Sequence, residues 1–214
     1  MYSYFIYLAL QLSLMAEKRT VYIFGHSFPA RFVREAHRRA LSVASLLGVT
    51  DEYSIQVEGH PGLTYRRIFG RPDHYFSRMS TCSSISLLCI DMGSNDLCDR
   101  DSTPAVVVGS VLRFLWELAT RGIRPQKIVF LSVLQRSKIT SRNQVSVQTF
   151  NHRIRRFNRS VKLALAANYP TVSLHPQRGI NYPKYLAADG CHLTADGMQM
   201  YIRQLLDVII HYCN

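Results

Sequence analysis

The chain has 214 residues, 47% of them hydrophobic, enough for one substantial core and too little for two independent ones. Its five cysteines (Cys82, Cys89, Cys98, Cys191 and Cys213) are odd in number and lack C-x-x-C pairing, which argues against a disulfide framework and against a zinc site. A formal charge of +12 favours acidic partners such as nucleic acid, anionic lipid or acidic substrates, and sets a direction rather than a function.

The first fourteen residues, MYSYFIYLALQLSL, are apolar and precede Met-Ala-Glu-Lys-Arg-Thr. No Lys or Arg stands before Lys18, as a secretory n-region requires, and the run is short for a membrane span. Residues 1–18 are therefore set apart from a single domain at 19–214. A signal, an anchor, a start at Met15 and a short packed helix all stay open for them. The unpaired cysteines favour a reducing interior and hence a cytoplasmic protein.

From residue 20 onward, apolar runs of strand length alternate with longer stretches at helical spacing. Strands are expected at 20–25, 53–58, 85–92, 127–133 and 171–174, and several are apolar without alternation, as strands buried on both faces should be. Cys89 falls inside such a run and reads as core packing. Helices are expected at 29–47, 64–78, 104–121, 145–168 and 195–212. Pro104 after Ser102-Thr103 suits a first helical turn, and Gly122 suits the end of the same helix. This order predicts an α/β protein, a three-layer α/β/α sandwich around a five-stranded parallel sheet.

Ligands of such sheets bind at the carboxyl ends of the strands, and polar clusters fall there repeatedly. The first strand ends in Gly25-His26-Ser27, the second runs into GHPGLT at 59–64, and the third runs into Gly93-Ser94-Asn95-Asp96. Asp189-Gly190-Cys191-His192 precedes the last helix. Each cluster alone has an ordinary explanation: Ser27 caps a helix, Asn95 and Asp96 make a turn, His192 sits on the surface. Four on one edge of one sheet are harder to explain that way.

Over residues 19–212 these four blocks, in this order, resemble the SGNH hydrolase superfamily, which includes the GDSL-type esterases and lipases. The strand-borne SLLCIDMGSNDL and the helix-preceding DGCHLTADG carry the resemblance furthest. It implies the flavodoxin-like fold of that group and a serine hydrolase acting without a cofactor.

Acyl transfer needs a nucleophile, a base and donors aimed at a developing oxyanion, and the blocks supply candidates for each. Ser27 is the candidate nucleophile. His192 takes and returns its proton, and Asp189 orients the imidazole. The oxyanion is met by the backbone N–H of Ser27, the backbone N–H of Gly62 and the side-chain amide of Asn95. The substrate expected is a small-molecule, carbohydrate or lipid ester with an acetyl or short acyl group. One departure stands out: where the family usually has aspartate before the serine, this chain has His26. That aspartate helps to structure the active-site turns, so weakened catalysis is the expected consequence. Pro29 argues against the G-x-S-x-G elbow of α/β-hydrolases.

The remaining histidines (His37, His60, His74, His152, His175 and His211) lack ligand spacing, and no metal is assigned. Arg31, Arg34 and Arg38 form a helical stripe, and Arg153, Arg155, Arg156, Arg159 and Lys162 crowd another helix. Arg136, Lys138 and Arg142 follow the fourth strand and should rim the site edge, where they favour anionic substrates or acidic surfaces. The alternative to an esterase is a catalytically weak binding module whose basic faces contact nucleic acid. SGNH-type domains also occur in proteins of certain retrotransposons, although this chain has no recognised RNA- or DNA-binding motif.

Overall fold

The computed structural model describes residues 18–49, 51–139, 145–180 and 183–213, so the apolar segment at 1–17 and Arg142 lie outside the described residues. Five parallel strands form one sheet: β1 (Arg19–Gly25), β2 (Tyr53–Gly59), β3 (Leu87–Asp91), β4 (Lys127–Leu131) and β5 (Val172–His175). Their spatial order is β2-β1-β3-β4-β5, with the switch in order between β1 and β3. Residue alternation along β1 explains the three layers. Tyr22 and Phe24 enter a core with Leu88, Ile90, Phe114 and Phe157, while Val21 and Ile23 enter a second core on the other face with Phe32, Cys89 and Tyr201. Both faces of the sheet are covered, which is why its central strands are mostly apolar, β3 reading LLCID with an acid only at its end.

The expected helix at 29–47 begins earlier and is broken, as α1 (Ser27–Arg38) and α2 (Val43–Leu47). Ala40 between them takes a left-handed φ of 53°, and the Ser42 side chain caps α2 by accepting the N–H of Ser45. The helix expected at 64–78 divides into α3 (Tyr65–Gly70) and α4 (Pro72–Ser80). Proline has no N–H and disfavours helical geometry in the residue before it, so Arg71 ends one helix and Pro72 opens the next. A short helix that had read as a turn, α5 (Ser94–Cys98), follows β3. The long helices α6 (Pro104–Thr120), α7 (Val147–Asn168) and α8 (Ala195–Cys213) stand within two residues of expectation, and Thr103 caps α6 just ahead of Pro104.

Candidate active site

Strand β1 ends against β3 more closely than any side chain would permit. A Cβ on Gly25 would lie 2.4 Å from the Asp91 carbonyl oxygen, so glycine is required there. The chain then turns, the His26 N–H donating to that same carbonyl at 3.2 Å. His26, not Ser27, caps α1: its Nδ1 accepts the Ser27 N–H at 2.8 Å and lies 3.4 Å from Ser27 Oγ. Ser27 is the first residue of the helix, so its hydroxyl stands at the positive end of α1.

Behind His26 lies a buried polar chain that sequence reasoning missed. Nε2 is 3.1 Å from Ser94 Oγ and 3.4 Å from Asp91 Oδ1, and the Tyr201 hydroxyl donates to Asp91 Oδ2 at 2.8 Å. His26 and Asp91 are each only 3% exposed. Burial holds the imidazole below its ordinary pKa, with Asp91 opposing that shift. A neutral ring whose Nδ1 accepts an N–H carries its proton on Nε2, facing Asp91 and Ser94. Asp91 had left one signal in the sequence, as the lone acid ending the apolar run LLCID.

The turn before α8 presents a second imidazole–carboxylate pair. His192 Nδ1 and Asp189 Oδ2 are 2.6 Å apart, and Asp189 Oδ1 accepts the N–H groups of Cys191 and His192, both at 2.9 Å. Partial burial alone would raise the Asp189 carboxyl, but those bonds and the imidazole outweigh it and hold the group well below its usual range. Gly190 is required by two constraints, a φ of 66° and a Cβ position only 2.3 Å from the Lys138 backbone nitrogen. The loop after β4 is thereby seated on this turn, with the Ser137 N–H donating to Gly190 O at 3.0 Å.

Ser27, Gly62, Asn95, Asp189 and His192 all line one cleft of about 410 Å³. No hydrogen bond joins Ser27 to His192 among the described residues; the two share the cleft wall. The expected oxyanion donors are placed unequally. The Ser27 N–H is taken up by His26, contrary to expectation. Asn95 Nδ2 spends one hydrogen on Leu63 O at 3.0 Å and keeps a second. Asp96 is structural: Oδ1 accepts the Tyr65 N–H at 2.9 Å, tying α3 to α5, and burial pushes its carboxyl up to about 6.

No family model and no curated protein matches the sequence. Solved structures do match. A GDSL-like lipase from Bacteroides thetaiotaomicron superposes with a TM-score of 0.66 at 18% identity, over 95% of each chain. A catalytic mutant of Axe2, an acetylxylan esterase from Geobacillus stearothermophilus, gives 0.64 at 14% identity over 91% of this chain and 95% of that one. The acetyl xylan esterase AlAXEase gives 0.62 at 15% identity over 89% and 99%. The chain has the SGNH hydrolase fold. The five parallel strands covered on both faces are those expected from the sequence, and the cleft lies at the carboxyl ends of β1 and β3, beside the switch in strand order.

Proposed function

We propose that the chain is a serine esterase that cleaves a carboxylic ester, with an acetyl or short acyl group, through an acyl-Ser27 intermediate. The observation that carries this reading is the 2.6 Å His192–Asp189 pair standing in the same cleft wall as Ser27. With the Nδ1 proton directed at Asp189, His192 Nε2 is left as the base. It takes the Ser27 hydroxyl proton as Oγ bonds to the carbonyl carbon, whose π electrons move onto oxygen. Collapse breaks the bond to the alcohol oxygen, which receives the proton from Nε2. Water then repeats the sequence on the acyl-serine, releasing the acid and restoring Ser27.

In the resting geometry the oxyanion is met by the Gly62 N–H and the second Asn95 amide hydrogen, since the Ser27 N–H is committed to His26. Loss of one such donor costs on the order of 3 kcal/mol in barrier. Further support comes from the matched structures, which include catalytic mutants of Axe2 altered at a serine and at an aspartate. Purified protein should release nitrophenol from 4-nitrophenyl acetate, and Ser27→Ala should reduce kcat by about 10⁴-fold or more. Undiminished release by that variant would refute the assignment.

A second reading, attachment to nucleic acid or another acidic surface, is favoured by one face of α7. Arg155, Arg156, Arg159 and Lys162 are exposed there and form no ion pair among the described residues, whereas Arg153 is engaged with the carbonyls of Leu97, Asp99 and Arg100. Affinity for single-stranded RNA or DNA should then fall steeply with added salt; absence of binding at low salt removes this reading.

A further inference from the structure

Arg136 takes no part in the proton transfers above, yet it stands in the wall of the same cleft. It is held there from three sides. Asn151 clasps its backbone, accepting the N–H at 3.0 Å and donating to the carbonyl at 2.9 Å. The guanidinium lies over the Phe150 ring, 4.7 Å from its centroid. Its other contacts are neutral: it donates to Cys98 Sγ at 2.8 Å, to Ser94 Oγ at 3.3 Å and toward Asn95 Oδ1 at 3.5 Å.

What it lacks is a counter-charge. Other arginines find carboxylates readily: Arg121 pairs with Asp73 and Glu117, and Arg38 and Arg39 share Glu35. Arg136 is half-buried and forms no ion pair among the described residues, and the neighbouring stretch TSRNQ at 140–144 contains no Asp or Glu. Among the described residues of the cleft wall the lone carboxylate, Asp189, is engaged by His192, while Lys138 adds a second cation to that wall. A guanidinium that is fixed and partly removed from water without a counter-charge is costly to keep. An incoming carboxylate or phosphate would offset that cost through charge-assisted, two-pronged hydrogen bonds.

We propose that Arg136 forms an anion subsite, so that the ester hydrolysed at Ser27 carries a carboxylate or phosphate group within reach of its guanidinium. The subsite rests on the esterase reading for its use, though not for its ability to bind an anion. Asn95 Oδ1 is one of its contacts, so an anion drawn to Arg136 would bind beside the proposed oxyanion donors.

Matched esters test it. On the acyl side, 4-nitrophenyl hemisuccinate is compared with 4-nitrophenyl butanoate; on the alcohol side, 4-acetoxybenzoate is compared with its methyl ester. At low salt, wild-type kcat/KM should favour the anionic member of at least one pair by about tenfold or more, and Arg136→Gln should collapse that ratio toward one, with Arg136→Lys between. A wild-type ratio near one in both pairs, or a ratio that Arg136→Gln leaves intact, overturns the subsite. Calorimetric titration of the Ser27→Ala protein with benzoate and with inorganic phosphate separates the two anion sources and needs no turnover. If no ester is hydrolysed, the esterase reading fails alone provided that one of these anions still binds and that Arg136→Gln removes the binding. Absence of binding by both anions overturns the subsite as well.

Discussion

Two imidazole–carboxylate pairs flank Ser27, one on a loop and one in the core. The His192 and Asp189 side chains are 27% and 40% exposed, whereas those of His26 and Asp91 are 3% and 4% exposed. The chemical groups are the same, and depth separates their uses. An imidazole at the cleft surface is open to the substrate and water that the proposed reaction requires. One sealed behind a helix start, already accepting an N–H and facing a buried carboxylate, instead holds the turn at Ser27 in place.

The largest difference should appear in rate. His192→Ala should lower kcat about 10⁴-fold or more with stability changed by less than about 1 kcal/mol, and Asp189→Asn should lower it about 10²- to 10⁴-fold with a stability loss smaller than that of the buried-pair variants. Single-turnover kinetics beside calorimetric melting separates these outcomes, and a large loss of stability in either variant would erase the contrast between the pairs.

The buried pair should reverse that pattern. Asp91→Asn or His26→Ala leaves a buried polar partner unmatched, which should cost about 2–4 kcal/mol and lower Tm by roughly 5–15 °C, while activity per folded molecule falls far less than in His192→Ala. A more discriminating change is His26→Asp, which introduces the aspartate usual before the serine in the superfamily that the sequence resembles. Because Asp91 stands 3.4 Å behind the imidazole, two carboxylates would then face each other, so the variant should be less stable than wild type at neutral pH and should recover part of the difference on acidification. A His26→Asp protein more stable than wild type at pH 7 would show that Asp91 is not the reason for the histidine.

The smallest effect is on the pH dependence of folding. Burial holds His26 below the ordinary imidazole value of 6.5, so the unfolded chain binds a proton there before the folded chain does. Its contribution is therefore complete above about pH 6.5 and declines as the pH falls through and below that value. Asp189, also depressed, contributes above the ordinary carboxylate value of 3.8 and loses that contribution only at lower pH. Between about pH 7.5 and 5 the raised Asp96 carboxyl acts in the opposite sense to His26 and the lowered His175 in the same one, so the readout is a difference. In urea melts over that range the stability gap between wild type and His26→Asn should change with pH in the direction of a His26 contribution lost on acidification, while the gap between wild type and Asp189→Asn stays constant.

Much of this architecture was legible because sheet chemistry restricts the alternatives. Strands apolar on both faces announced a covered parallel sheet, and polar residues at their carboxyl ends announced the cleft. The Asp189-x-x-His192 spacing was readable because one turn delivers both side chains. The role of His26 was not readable, since its partner arrives through register: Gly25 pairs with Asp91 across β1 and β3, a fact of tertiary structure. The same limit applied to the Ser27 N–H, whose acceptor is set by the rotamer of the residue before it. Helix breaks divided similarly. Pro72 carried a signal for one break that the expected helix at 64–78 ran past, whereas the left-handed turn at Ala40 had no glycine to advertise it.

The contrast between the pairs rests on Ser27 being the nucleophile, and fluorophosphonate labelling with peptide mapping tests that most directly. Modification is expected at Ser27 alone, slowed strongly by His192→Ala and retained in any His26 variant that still folds. A protein that hydrolyses esters while carrying the label elsewhere, or that labels equally fast without His192, would contradict it.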